Sequence, residues 1–298
     1  MRKKLVLNLT GGLGNQMFQY AAAKALALGN DSDLVIDNVT GFKFDFRYKR
    51  QYGLNDFKIH ARESNFLERL PFLILKGKRA LNFKQVESIR EKNFGLMVEE
   101  PTMGFDSNVR NLRTNKNIWM TGYWQDPKYF REIQMQIRND FEWKHAINPK
   151  ILELGNLMTD KDSLALSIRF YEETSDPAFH SHNRKVKPLA TIASQVEEAL
   201  RSIPQLKIFV FSTKDSKDFS ELNLPNGTVF ITPDRFRLNA SDKLWLISRC
   251  RHHIFNNSTF YWWGAWLSES YYAHYDQLIV GSDNFTNPSI LEPHWTSF

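Results

Sequence analysis

The stretch KLVLNLTGGLGNQMFQYAAAKALAL, residues 4–28, decides the fold. Its first six residues are an almost continuous apolar run of strand length. Thr10-Gly11-Gly12-Leu13-Gly14 breaks that run, and residues 16–28 then read as a helix rich in alanine and leucine. Strand, glycine turn and helix in this order are the opening of a doubly wound α/β unit. The glycines let a ligand approach the backbone, and the first N–H groups of the helix favour an anion or a polar oxygen there. A dinucleotide fold competes for the same pattern. Gly12 and Gly14 begin a G-x-G-x-x-G series, and Asp37 stands where a ribose-binding acid is expected. Met17 occupies the third glycine position, however, and its bulk opposes close helix-to-strand packing, so the dinucleotide reading ranks second.

Reading outward, residues 34–36 predict a second strand and residues 118–121 another, followed by GYWQDPKYF and a helix through Phe141. After Asn148-Pro149 the alternation restarts. Helices are expected over 150–158, 186–202, 241–250 and 258–270, and strands over 163–169, 206–212, 228–231, 253–256 and 277–281. Two alternating halves imply two Rossmann-like doubly wound domains facing a cleft, with boundaries at 1–147 and 148–298.

The 298 residues, 42% hydrophobic and 24% charged with only 14 Gly and 11 Pro, exclude a collagen-like or wholly disordered chain. No run of about 18 apolar residues is present, and Leu5–Leu9 is too short for the core of a signal peptide. A cytoplasmic protein is therefore expected, and N-x-[ST] triplets such as Asn8-Leu9-Thr10 read as chance matches. Cys250 is the only cysteine, which excludes an intramolecular disulfide and a cysteine-based zinc cluster.

The formal charge of +6 is regional. Residues 43–92 carry 13 basic against 6 acidic side chains, and the rest is close to neutral. There Phe66, Leu67, Leu70, Phe72, Leu73, Ile74 and Leu75 alternate with Arg69, Lys76, Lys78 and Arg79. That mixture suits either an anionic membrane surface or an ordinary core helix with a basic outer face, and Pro71 divides it into two short helices. Nucleic acid is not an expected partner, because no binding motif and no long basic run occurs.

Two further stretches carry candidate chemistry. In LALSIRFYEE, residues 164–173, a strand ends at Arg169, where a guanidinium could hold a diphosphate bidentately or merely pair with Glu172. In NNSTFYWWGAWL, residues 256–267, Asn257, Ser258 and Thr259 are N-cap residues whose helix start suits phosphate oxygens. Trp262, Trp263 and Trp266 read as core rather than as a sugar platform. The D-x-D triplets Asp31-Ser32-Asp33 and Asp160-Lys161-Asp162 precede apolar runs, so they read as solvated turns rather than metal ligands.

GGLGNQMFQYA, GYWQDPKYF and NSTFYWWGAWL, in this order over nearly the whole chain, resemble the bacterial α-1,2-fucosyltransferases of glycosyltransferase family 11. The resemblance implies a GT-B-like fold, GDP-fucose as the sugar donor, inversion at the anomeric carbon, and no required metal or other cofactor. The acceptor it implies is a galactoside in a surface oligosaccharide, which could be lipid-linked and presented at the inner membrane face. Arg169 then inherits contact with the donor diphosphate, Glu172 the place of the family's acid as catalytic base, with Glu173 and Asp176 as neighbours, and Asp215 a guanine contact. Gly12, Gly14, Asn257, Ser258, Thr259 and Phe260 complete the donor-side set, and Asn15 is expected to orient the acceptor or the fucosyl group. The chain departs from the family's H-x-R-R-G-D-Y at Ser167 and Phe170, which stand for a histidine and the second arginine. Those changes leave open a transferase for another nucleotide sugar, or an inactive glycan-binding relative.

Overall fold

The computed structural model describes residues 2–43, 45–46, 48–80, 89–92, 95–100, 102–170 and 187–298. The chain divides into two compact units, Met1–His145 and Ala146–Phe298. The first is built on a six-stranded sheet of β1 (Lys4–Asn8), β2 (Asp33–Asp37), β3 (Arg62–Glu63), β4 (Ile89–Lys92), β5 (Gly95–Glu99) and β6 (Ile118–Thr121), in the order β3-β2-β1-β6-β5-β4. Its neighbours run parallel except β4 and β5. Strand β1 is central, and Leu5, Val6 and Leu7 are sealed on both faces, which is why it reads as a continuous apolar run instead of an alternating one.

The helix Leu13–Gly29 begins three residues earlier than the sequence predicts, because Gly12 takes the N-cap position and Gly14 fits inside the first turn. Its alanines are small enough to bury almost its whole circumference, Met17 included. GYWQDPKYF contains no α-helix and does not lead straight into one. Asp126 caps a 3-10 turn at Pro127–Tyr129, a second turn spans Arg131–Ile133, and the helix proper is Gln134–Asp140.

The basic segment forms one helix, Phe66–Ala80, that passes through Pro71. Proline there removes the hydrogen bond to the carbonyl of Leu67 and its ring crowds that carbonyl, a strain confined to the first turn and a half of the helix, where Leu67 is exposed. Phe72 and Leu75 face the core while Phe66, Leu67 and Ile74 are exposed.

The second unit holds β7 (Ser163–Ile168), β8 (Lys207–Ser212), β9 (Val229–Ile231), β10 (His252–Phe255), β11 (Ile279–Gly281) and β12 (Thr296–Ser297). All pairs are parallel, in the order β12-β11-β10-β7-β8-β9. Leu164, Leu166, Ile208, Val210 and Ile254 bury against Ile192, Val196 and Ala199 of the helix Leu189–Ser202, whose spacing of four and three residues keeps them on one face. Trp262, Trp263 and Trp266 are buried in the helix Thr259–Ser268.

These strand orders fix where ligands can collect. In the first unit the chain runs from β1 to β2 and β3 on one side, and β6 lies on the other, so the order reverses between β1 and β6. In the second, β7 leads to β8 and β9 while β10 leads to β11 and β12, and the reversal falls between β7 and β10. Loops leaving the carboxyl ends of strands diverge at such a reversal and open a crevice.

Candidate active site at the strand ends

In the first unit the reversal is flanked by the GGLGN loop after β1 and the GYWQ loop after β6. Buried glutamines hold the first. Gln19 accepts from the Thr10 N–H at 2.9 Å and donates to its carbonyl at 3.0 Å. Gln16 donates to the carbonyls of Gly11 at 2.9 Å and Gln51 at 2.8 Å, and accepts from the Gly53 N–H at 2.9 Å. The loop is therefore set by the helix below it rather than by the sheet ladder.

Gly11 has φ of +78°, and a Cβ there would stand 2.8 Å from Asn15 Nδ2 and 3.4 Å from the Tyr123 ring. Glycine meets both demands, the left-handed backbone and the close approach. Asn15 Oδ1 in turn accepts from Gln125 Nε2 at 3.0 Å, so the two motifs are joined side chain to side chain.

The second loop hangs on Glu100, just beyond β5. Its carboxylate accepts from the N–H groups of Tyr123 at 2.5 Å and Trp124 at 3.0 Å. Gly122 permits this, since a Cβ would lie 2.4 Å from that of Glu100. Burial pushes the Glu100 carboxyl above the usual carboxylate range, against the pull of the two N–H bonds. Arg50 adds a cation, its guanidinium carbon 5.2 Å from the Tyr48 ring centre and 4.0 Å from where a Cβ on Gly12 would sit.

In the second unit the reversal joins Arg169 to Asn256. Buried Asn256 accepts from the Arg169 N–H at 2.8 Å and donates to the Arg169 carbonyl at 2.7 Å. One side chain thus extends the β7–β10 ladder by a residue and fixes where the guanidinium departs from the sheet. Tyr261 donates its hydroxyl toward the carbonyls of Ile168 at 3.3 Å and Phe211 at 3.4 Å, tying the start of its helix to the ends of β7 and β8.

Ser258 is the N-cap of that helix yet makes no capping hydrogen bond, and its buried hydroxyl has no protein partner among the described residues. The buried hydroxyl of Ser167 is in the same condition. A buried hydroxyl left unpaired beside the positive end of a helix is costly unless a ligand oxygen meets it. Thr259 and Phe260 form the first turn, and Asn257 donates to the Asn284 carbonyl at 3.0 Å.

Several sequence-derived candidates fall elsewhere. Gly12 and Gly14 belong to the first unit, whereas Arg169, Asp215 and residues 257–260 belong to the second. Asp215 caps the 3-10 turn Ser216–Phe219 in a reciprocal box with Asp218. Phe170 packs on Phe219 with ring centres 5.8 Å apart, against the core cluster of its unit. Glu172, Glu173 and Asp176 lie outside the described residues. Asp37 is fully buried and accepts from Asn8, Val39 and Thr40, so it closes the turn after β2 instead of waiting for a ribose. Asp31 and Asp33 pair with Arg2 at the surface, and Asp160 pairs with Lys207.

Sequence reasoning passed over Asn256, Gln125, Gln16, Gln19 and Lys243. The available signals were an asparagine directly after an apolar strand and two glutamines three residues apart on the buried face of a helix.

Two largely parallel sheets, each with polar groups gathered where its strand order reverses, give the chain the GT-B glycosyltransferase architecture, with a fucosyltransferase-like fold. The chain is similar to an alpha-1,2-colitosyltransferase of Escherichia coli, with 26% identity over 273 residues covering 88% of this chain and 87% of the relative. It is also similar to the O-antigen biosynthesis glycosyltransferase WbnK of Escherichia coli, with 28% identity over 286 residues, 87% of this chain and 89% of the relative. Among solved structures, NodZ alpha-1,6-fucosyltransferase co-crystallized with GDP superposes with a TM-score of 0.52 at 13% identity, over 90% of this chain and 93% of that one. The same enzyme soaked with GDP-fucose gives 0.50 at 12% identity, over 90% and 92%. No protein-family model matches the chain.

Proposed function

We propose that this protein is an inverting transferase that moves L-fucose from GDP-fucose to a galactoside hydroxyl of a surface oligosaccharide, forming an α-1,2 linkage. The observation that carries this reading is the Arg169–Asn256 clamp beside the unpaired Ser258 hydroxyl at the reversal of the second sheet. A guanidinium and a helix start are suited to a diphosphate, and the second unit accordingly takes the donor while the first takes the acceptor. The fold of the GDP-bound NodZ structure and the α-1,2 specificity in the name of the colitosyltransferase support it.

The step breaks the bond from the anomeric carbon to the diphosphate oxygen, whose electron pair leaves with GDP, while the acceptor oxygen bonds to the opposite face of that carbon. The acceptor proton passes to a carboxylate, for which Glu172 is the proposed base. Arg169 neutralises charge on the departing diphosphate, a contribution of the kind whose loss costs about 10² to 10³ in rate. Asn15, oriented by Gln125, holds the sugar hydroxyls at the first sheet. No metal takes part in this scheme, so activity should persist in excess EDTA, and loss of activity restored by Mn²⁺ or Mg²⁺ would overturn that element.

A second reading, with GDP-colitose as donor, is favoured by the colitosyltransferase relative and by Ser167 and Phe170. Parallel assays with GDP-fucose, GDP-colitose, GDP-mannose and UDP-galactose against a panel of galactosides, with product linkage read by NMR, decide between them. Turnover of GDP-fucose to an α-1,2 product supports the first reading and preference for GDP-colitose the second. Oligosaccharide binding without turnover of any nucleotide sugar would make the chain a glycan-binding protein.

The exposed Phe66, Leu67 and Ile74 on the helix of the basic segment support reversible attachment to an anionic membrane face from the cytoplasm, where a lipid-linked acceptor would be presented. Among the described residues no helix is long and apolar enough to cross a membrane. Equal, negligible sedimentation with anionic and neutral vesicles would remove this element.

A further inference from the structure

Lys243 breaks the local rules of its surroundings. It lies in the opening turns of the helix Ala240–Arg249, where the helix dipole disfavours a cation. It is half-buried, and burial alone pulls its ammonium below the usual lysine range. Its Nζ donates to the Ser212 carbonyl at 3.1 Å, and no carboxylate among the described residues pairs with it. Such a position is unfavourable to a free protein, and residues of this kind concentrate where a ligand supplies what the fold omits.

The missing counter-charge can be located. Ser212 is the last residue of β8 and stands in register with Ile168 of β7, the residue before Arg169. Tyr261 bridges the carbonyls of Ile168 and Phe211 at the same strand ends, and its helix begins at Ser258, whose buried hydroxyl is unpaired among the described residues. A cation, an orphan hydroxyl and a helix N-terminus therefore gather at the carboxyl ends of neighbouring strands within one unit. An anion with several oxygens satisfies all three; a neutral sugar hydroxyl would leave the ammonium without a counter-ion.

We infer that Lys243 binds a phosphate of a nucleoside diphosphate, beside Arg169 and Ser258. The inference rests on the donor-side reading of this unit and adds to it the group that reads the phosphate. An ammonium on a flexible stem suits a phosphate oxygen as a point charge, leaving bidentate geometry to the arginine.

Calorimetry with guanosine, GDP and inorganic pyrophosphate tests it on wild-type protein, Lys243→Met and Lys243→Arg. Lys243→Met should weaken GDP and pyrophosphate binding about 10- to 100-fold, the range for a hydrogen bond to a charged group. Guanosine binding should stay as it was, and Lys243→Arg should restore part of the loss. A lysine that only caps the end of β8 would lower thermal stability without separating GDP from guanosine, and GDP binding by Lys243→Met within threefold of wild type overturns the inference.

A measurement on wild-type protein covers a variant that fails to fold. GDP and pyrophosphate, but not guanosine, should protect Lys243 from acetylation as read by mass spectrometry, and equal acetylation in all three overturns the inference. Protection by pyrophosphate with no affinity for GDP would overturn the guanosine-nucleotide donor while retaining the phosphate site.

Discussion

Asn256 grips the backbone of Arg169 from both sides, accepting from its N–H at 2.8 Å and donating to its carbonyl at 2.7 Å. Asn256→Ala removes both bonds and strands two part-buried backbone groups. Unsatisfied buried groups cost about 1–3 kcal/mol each, so two part-buried ones should cost the second unit about 2 kcal/mol in urea unfolding, the low end of that range for each. Transfer should fall at least tenfold in the fraction still folded. Asn256→Asp keeps an acceptor for the N–H but sets a carboxylate against the Arg169 carbonyl, and should be no better.

Arg169 itself should behave differently from its clamp. Arg169→Ala is expected to leave the melting temperature nearly unchanged and to reduce transfer by about 10² or more, the scale for losing one charge-stabilising group. Arg169→Lys should recover little, since a point charge does not reproduce a bidentate fork. Activity of Arg169→Ala within threefold of the parent would refute its role at the diphosphate.

The hydrogen bond from Gln125 Nε2 to Asn15 Oδ1 predicts coupling between two motifs far apart in the chain. A double-mutant cycle of Asn15→Ala and Gln125→Ala on kcat/KM for the acceptor should give an interaction energy of about 0.5–3 kcal/mol. Additive losses would show that the two side chains act independently. KM for the sugar donor should change less than acceptor KM if the first unit serves the acceptor.

His253 makes the second unit sensitive to acid. It is buried in β10 with Nε2 3.0 Å from the Cys250 carbonyl, and burial pulls its pKa down to about 3. An unfolded histidine titrates near 6.5. Between these values the unfolded chain binds the proton and the folded chain does not, so stability falls as pH drops from about 6.5 toward 3, by at most about 1.4 kcal/mol per pH unit from this residue. His253→Gln, which keeps an N–H for Cys250, should flatten the pH dependence of the urea midpoint between pH 5 and 7. A parallel dependence in variant and parent would assign the acid sensitivity to other groups.

What the sequence determined by itself is most of the run of elements in the second unit and the strands β1, β2 and β6 of the first, while the short strands β3, β4, β5 and β12 are not legible in it. Continuous apolar runs mark strands that are buried on both faces, and the Gly11–Gly14 turn marks the first crossover, because each of these signals is local and set by backbone geometry and by the covering of both strand faces. The restart at Asn148-Pro149 is legible for the same reason, since Asn148 caps the helix Pro149–Met158 and the proline opens its first turn. What local pattern cannot carry is the partner of each polar side chain. Asp37 has the spacing of a ribose ligand, yet its own turn consumes it. Phe170 follows Arg169 at the end of β7, yet it packs against the core.

Only the tertiary structure brought Gln125 to Asn15 across 110 residues and Asn256 to Arg169 across 87. Those meetings depend on sheet order. In each unit the strand order reverses between two strands that are not consecutive in sequence, and the loops leaving them are neighbours only after the whole sheet has been assembled. The burial of Lys243 is of the same kind, since its helix must dock against the helices Pro149–Met158 and Thr259–Ser268 before the ammonium reaches the Ser212 carbonyl at the end of β8. Elements follow from the periodicity of side chains along a few residues, whereas the site follows from which strand ends the completed sheet sets side by side.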